Sequence, residues 1–426
     1  MAVGTERQRC QDVAHRRDFA SQGEQLRSNL WAIVVTSYEG RKLFMDRRTL
    51  IKVAASAAAL AALPTRASCT PLKGTKHMNY RGVVYDVGLR FTAGMPYSVE
   101  NFDPGLVAYD ISTIATELHC NAIRIEGEDV ERLVTASRIA HTAGLTVFFN
   151  PWKMNVPIAE LPSYFAQAAS AAEQLRGEGA DIIFVAGCEM SLFNEGIFAG
   201  STVTERIRGV IDLSAAAQSN DHELISVKSA MLNDALKRIV AGVREEFKGK
   251  VTYSAGMWEK VDWNLFDIVG VDHYRSSETA EQYVKALDHY RLDKPLFVME
   301  VGSCAYEGAG QLGGGGFLLL EGTNPDGTGI FKDGIVPTRS ELEQADYVEE
   351  QLQLLTDADV DGVFIYVFSF PIFPRGEGAR DFDMMSFSLV KTHPKDHPNG
   401  QGIPPWERKE AFHRIAEIYR RLDARS

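Results

Sequence analysis

Cysteine is scarce in this chain, and none of it falls in a recognisable site. The five cysteines, at 10, 69, 120, 188 and 304, form no CxxC pair and no His/Cys cluster at zinc-finger spacing, so neither a structural zinc nor a dithiol redox centre is encoded. A disulfide between Cys188 and Cys304 is left open by the sequence. Paired metal ligands of the HxH type are also missing, as is a Gly-x-Gly-x-x-Gly turn after the first apolar strand. The glycine run 313–316 is not followed by Gly-Lys-Ser/Thr; four consecutive glycines suit a mobile loop better than a phosphate cradle. The sequence therefore calls for no metal and no cofactor. Basic charge is in deficit, with 45 Lys and Arg against 57 Asp and Glu for a net charge of -12. Such a field repels phosphate backbones and anionic lipid, which argues against nucleic acid as a partner.

Long apolar runs are absent too. The stretch Val53–Leu63 has 11 residues, whereas a helix crossing a bilayer needs about 20. It lies inside MDRRTLIKVAASAAALAALPTRAS (45–68), a paired arginine followed by a short apolar core and small residues. That is the layout of an export signal. Asp46-Arg47-Arg48-Thr49-Leu50-Ile51-Lys52 resembles a twin-arginine signal, which implies a periplasmic or extracellular protein. On this reading residues 1–44 are a non-native extension, Met45 is the initiator, 45–69 is the signal peptide and 78–426 is one catalytic domain. Cys69 follows Arg66-Ala67-Ser68, a poor lipoprotein box, so a lipid anchor there is disfavoured.

What remains is an ordinary globular composition, 45% hydrophobic and 24% charged, able to bury a large core. Eight short apolar runs alternate with longer segments of helical period. They are Gly82–Val87, Ala122–Glu126, Thr146–Asn150, Ile182–Ala186, Val251–Ser254, Ile268–Val271, Leu296–Glu300 and Gly362–Val367. Eight βα units predict a (β/α)8 TIM barrel rather than an open doubly wound sheet. Val107, Ile111, Ile114 and Leu118 show the 3 and 4 spacing of an outer helix. Long connections, 301–340 and 369–405, follow the seventh and eighth strands and leave the strand ends where barrel enzymes build their sites.

Side chains just past those strand ends converge on one mouth. Here they are Asp86; Arg124 with Glu126, Glu128 and Asp129; Asn150 and Trp152; Cys188 and Glu189; Trp258; Asp272, His273 and Tyr274; Glu300; and Phe368 with Ser369. Carboxylates, an arginine and aromatic faces suit an oligosaccharide or glycoside, whose hydroxyls they bond and whose C–H faces they stack on. The sequence-level site comprises Glu189 and Glu300 as catalytic residues, with Asp86, Arg124, Asn150, Trp152, Trp258, His273 and Tyr274 contacting substrate.

Four segments at these positions resemble those of retaining glycoside hydrolases of the large barrel clan with the acid/base on strand four and the nucleophile on strand seven. They are Asn121-Ala122-Ile123-Arg124, Ile183-Phe184-Val185-Ala186-Gly187-Cys188-Glu189, Phe266 to Tyr274, and Pro295 to Gly302. The resemblance implies that Glu300 attacks the anomeric carbon and Glu189 serves as acid and then base. It further implies that Arg124 keeps Glu300 ionised, that Tyr274 donates to it, and that His273 bonds the ligand or Glu189. The chain departs from the clan at Cys188, where asparagine is expected, and at strand eight, where Phe368 replaces a tryptophan. A non-catalytic carbohydrate-binding barrel and a metal-dependent barrel hydrolase using Asp86, His273 and carboxylates are the competing readings.

Overall fold

The computed structural model describes residues 78–219 and 222–424. The expected extension, export signal and Cys69 lie outside the described residues. Eight parallel strands close into a barrel: β1 (Tyr80–Asp86), β2 (Ala122–Gly127), β3 (Thr146–Pro151), β4 (Ile182–Cys188), β5 (Val251–Gly256), β6 (Val269–Asp272), β7 (Leu296–Val301) and β8 (Gly362–Ile365). The order around the ring is β1, β8, β7, β6, β5, β4, β3, β2. Every expected apolar run is a barrel strand.

Around the sheet run α1 (Pro104–Thr116), α2 (Val130–Thr142), α3 (Leu161–Gly177), α4 (Val203–Ser219), α5 (His222–Glu246), α6 (Ala280–Ala286), α7 (Glu341–Asp357) and α8 (Glu410–Asp423). Their starts are written in the sequence. Asp103 caps α1 by accepting from Gly105 N–H at 2.8 Å with Pro104 behind it, and Asp129 accepts from Glu131 and Arg132 at the start of α2. Thr279 and Gln282 form a reciprocal capping box on α6. The strict alternation is broken twice. A single helical turn at Met190–Phe193 and the long helices α4 and α5 connect β4 to β5, while β5 reaches β6 through a single 3-10 turn, Trp263–Leu265.

Period-two alternation sorts the strand residues. Val83, Tyr85, Ile123, Ile125, Val147 and Phe149 pack outward against the helices, joined by Val107, Ile111, Ile114 and Leu118. Val84, Ala122, Phe148, Ile183, Val185, Ile268, Phe297, Met299 and Phe364 fill the barrel interior. Phe148 is the hub of that plug, with ring centroids 4.5 Å from Phe364 and 5.4 Å from Phe297.

Two expectations are corrected in the long connections. Gly313 to Gly316 form a 3-10 segment instead of a mobile loop. A Cβ on Gly314 would stand 3.2 Å from the Tyr274 ring and one on Gly316 3.1 Å from Cys304 Sγ, so Gly314 allows close packing behind Tyr274 and Gly316 against Cys304. Cys188 and Cys304 are both free thiols; Cys304 Sγ turns to the Met385 carbonyl at 3.1 Å. The two connections are also tied together. Arg339 bonds Asp381 and Asp383 at 3.0 and 2.9 Å, and fully buried Lys409 reaches Asp383 at 2.9 Å.

Replacing Phe148 with alanine empties the centre of the plug, and about 3–5 kcal/mol of stability should be lost. Chemical denaturation of the two proteins measures it; a loss below about 1 kcal/mol would mean the interior is not packed as described.

Candidate active site

Registers between neighbouring strands place Asp86 beside Glu126 and Glu126 beside Asn150. Cys188 pairs with Ser254 and Asp272 with Glu300. Because alternation turns each of these residues inward, the top of the barrel is a polar layer above the apolar plug. Arg124 stands one step lower on β2, fully buried, and reaches up into that layer. Its Nε donates to Asn150 Oδ1 at 2.7 Å. Its Nη1 donates to the Met299 carbonyl at 3.0 Å and to Glu300 Oε1 at 2.9 Å, and Nη2 lies 3.3 Å from Glu126 Oε2.

Glu300 has both oxygens engaged, since Tyr274 donates its hydroxyl to Oε2 at 2.9 Å. Burial and the neighbouring Glu300 charge hold the Tyr274 phenol protonated, well above its usual range. The Cys188 thiol is shared, 3.5 Å from Glu300 Oε1 and 3.6 Å from Asp272 Oδ2. Burial and those two carboxylates push the thiol up, so it is a proton donor here. Asp272 also accepts from Ser254 Oγ at 2.6 Å.

Glu189 is held differently. Gly187 (φ +103) and Glu189 itself (φ 40) turn sharply off the end of β4, a conformation costly for a non-glycine residue and sustained by its surroundings. The Glu189 N–H is bonded to the Ser254 carbonyl at 2.9 Å. Just beyond, buried Glu259 accepts from Ser191 N–H (3.0 Å), Ser191 Oγ (2.6 Å) and Tyr253 Oη (2.9 Å), which fixes the turn. The Glu189 carboxyl has no hydrogen-bond donor among the described residues. Desolvation, then the charges of Asp272 and Glu300, push its pKa well up. A carboxyl whose pKa is raised and a carboxyl held by donors thus face one mouth, an arrangement in which the first can give a proton and the second can attack.

The structure brings Asp86, Arg124, Glu189, Tyr274 and Glu300 together and redistributes the other expected residues. Asn150 spends its amide on Arg124 and on the Pro151 carbonyl at 3.3 Å, so it positions the guanidinium. Trp258 donates Nε1 to Ser191 Oγ at 3.0 Å and supports the Glu189 turn. Trp152 is buried beside Cys188, Leu89 and Met154, with its Nε1 unpartnered. His273 faces away from the mouth: its ring stacks on Tyr283 at 4.0 Å, and Nε2 meets the Tyr283 carbonyl at 2.9 Å. Burial lowers its pKa to about 4. It is therefore a neutral packing histidine whose Nδ1 is buried without a partner, and it bonds neither Glu189 nor Asp86. Phe368 likewise packs outside the sheet on Tyr85 and Trp406; Tyr366, whose phenol is pushed up by burial and by the charges of Glu126 and Glu300, is the aromatic residue that the end of β8 brings near the mouth. Sequence alone does not single out Ser254 and Glu259; it places Glu126 and Asp272 at the mouth without a contact to substrate, although inward alternation from Arg124 points to Glu126.

Cys188, Asp272 and Glu300 offer ligand atoms within 4.8 Å of one another. Arg124 already supplies the positive charge there, 2.9 Å from Glu300 and 4.0 Å from Asp272.

No protein-family model and no curated protein matches the sequence. Solved structures share its fold. A GH113 beta-1,4-mannanase aligns with a TM-score of 0.50 at 15% identity, over 81% of this chain and 99% of that one. The GH113 beta-mannanase of Alicyclobacillus acidocaldarius aligns at 0.45 and 15% identity, over 80% and 97%. A glycoside hydrolase family 17 beta-1,3-glucanosyltransferase from Rhizomucor miehei aligns at 0.41 and 12% identity, over 75% and 94%. At 15% identity the first of these likenesses shows the fold alone, the closed barrel of parallel strands.

Arg124→Met leaves a crowd of buried carboxyls without their cation. Glu126 and Asp272 already titrate above the usual range. Without Arg124 the folded chain holds those protons to still higher pH than the unfolded chain does, so stability falls as pH rises. The variant should lose about 3–5 kcal/mol at pH 8 and clearly less at pH 5, read by denaturant unfolding. Equal losses at both values would contradict the electrostatic role.

Proposed function

We propose that the chain is an exported glycoside hydrolase that cleaves with retention, and that the same intermediate allows transfer to a sugar acceptor. The observation that carries this reading is the contrast between two carboxyls at one barrel mouth. Glu300 is oriented by Arg124 and Tyr274, and Glu189 is desolvated without a donor. In the first step a Glu300 oxygen bonds the anomeric carbon while the bond to the leaving oxygen breaks and Glu189 gives that oxygen its proton. In the second, Glu189 takes a proton from water as the water oxygen displaces Glu300 from the anomeric carbon, which restores both carboxyls. With a sugar hydroxyl in place of water, the second step becomes transfer.

Proton NMR of the first-formed product, on a panel of neutral oligosaccharides and aryl glycosides of both anomers, should show the anomeric configuration of the substrate. Glu300→Gln should lower turnover on the order of 10³-fold or more. Glu189→Gln should lower it about 10²–10⁴-fold for poor leaving groups, less for 4-nitrophenolate. Because the acid must be protonated, turnover falls at high pH, and that alkaline limb should vanish in Glu189→Gln. Full activity in Glu300→Gln, or an inverted product, would defeat the assignment.

The second reading is a carbohydrate-binding barrel without hydrolysis. It is favoured by Cys188, whose thiol bonds Glu300 and Asp272 where the resembling enzymes carry asparagine. Binding with no release of reducing ends on prolonged incubation would support it. The export part of the proposal rests on Arg47-Arg48 and the apolar stretch after it. Lys-Lys at those two positions should retain a fused reporter in the cytoplasm; unchanged export would rule out the twin-arginine route.

A further inference from the structure

The barrel mouth holds more hydrogen-bond acceptors than the chain has donors for. Glu126 Oε1 and Asp86 Oδ2 are buried without a hydrogen-bond partner, and Glu126 Oε2 has only the ion pair with Arg124 Nη2 at 3.3 Å, which falls outside hydrogen-bond geometry. Glu126 is 0% exposed and Asp86 5%. The two are register neighbours on β2 and β1, and alternation with outward Ile125 and Tyr85 turns both inward. An independent sign of a missing partner lies on the adjacent strand end, where the buried Trp152 Nε1 is a donor with nothing to donate to. Native folds rarely bury polar atoms in this state unless something outside the chain satisfies them.

The charge of that partner is constrained as well. The eight strands contain two basic side chains. Arg81 points outward to Asp423 at 2.6 Å, and Arg124 is committed to Asn150, Met299 and Glu300 through Nε and Nη1 and to the Glu126 ion pair at 3.3 Å through Nη2. A ligand carboxylate would therefore meet Glu126 and Asp86 with no free strand cation to receive it. A hydroxyl meets no such difficulty. It donates to a carboxylate and accepts from a carboxylic acid, so it pairs with Asp86, whose pKa burial pushes up to about 6, in either protonation state.

We propose that Glu126 and Asp86 form the hydroxyl-recognising wall of the sugar site, selecting an uncharged ring and rejecting uronic acids. The inference rests on the glycosidase reading for its choice of ligand, and it is tested by binding, which does not require turnover. Saturation-transfer NMR and calorimetry would use mannobiose, cellobiose and laminaribiose, their singly deoxygenated analogues, and a glucuronic acid disaccharide. Neutral disaccharides should bind at least about 10-fold more tightly than the uronide. Glu126→Gln and Asp86→Asn should each weaken neutral binding about 10- to 100-fold. Removing the contacted hydroxyl should weaken wild-type binding but change nothing further in the variant that has lost its partner. A merely structural role for either carboxyl would weaken parent and deoxy sugars alike, with the hydroxyl still counting in the variant. Asp86→Asn carries the test alone should Glu126→Gln not fold.

Binding of the neutral set with this pattern and no hydrolysis would refute the glycosidase reading and leave the wall standing. Hydrolysis with affinities indifferent to both substitutions would do the reverse. Uronide binding equal to or tighter than neutral binding, or no binding of any probe, overturns the inference.

Discussion

Arg124 is fully enclosed by the barrel, and the arrangement of the mouth follows from where its N–H groups are spent. Asn150 orients it, the Met299 carbonyl anchors it to β7, and Glu300 is drawn to it from the same strand. One buried positive charge surrounded by Glu126, Asp272 and Glu300 cannot neutralise them all. Protons must make up the balance, and desolvation raises Glu126 and Asp272 accordingly. The site is then a set of coupled titrations with one fixed cation at its centre, which is why two chemically identical glutamates at strands four and seven end in different environments.

The Cys188 thiol belongs to the same balance. A neutral donor between two carboxyls relieves part of their repulsion without adding charge. Asparagine at this position would offer two stronger donors and also an acceptor. The substitution thus changes the local hydrogen-bond supply while leaving the positions of Glu300 and Asp272 to Arg124 and Ser254.

The barrel was legible because its strands are buried on both faces, so each reads as a short continuous apolar run bounded by polar punctuation. The ends of those runs located the mouth, and with it Glu189, Glu300, Arg124 and Tyr274. What the runs hid was direction. Asp272 and His273 are neighbours in sequence, but the first turns inward and the second stacks on Tyr283. Phe368 and Tyr366 are separated the same way, one under the outer helices and the other near the mouth. Glu126 is placed at the strand end by its run, but its inward direction emerges only when alternation from Arg124 is followed two residues on. The four-glycine run was misleading for a different reason: tight packing behind Tyr274 demands the same residue as a flexible loop, and only the neighbouring ring distinguishes them.

Arg339 closes the connection after β7, yet its charge is answered by Asp381 and Asp383 in the connection after β8, where buried Lys409 joins them. The two segments that frame one side of the mouth are therefore a single electrostatic object. Exchanging either one for the corresponding loop of another barrel would strand a buried charge in the one left behind. Variation of the rim has to proceed in matched pairs, and a chimaera that respects this seam would carry both connections or neither.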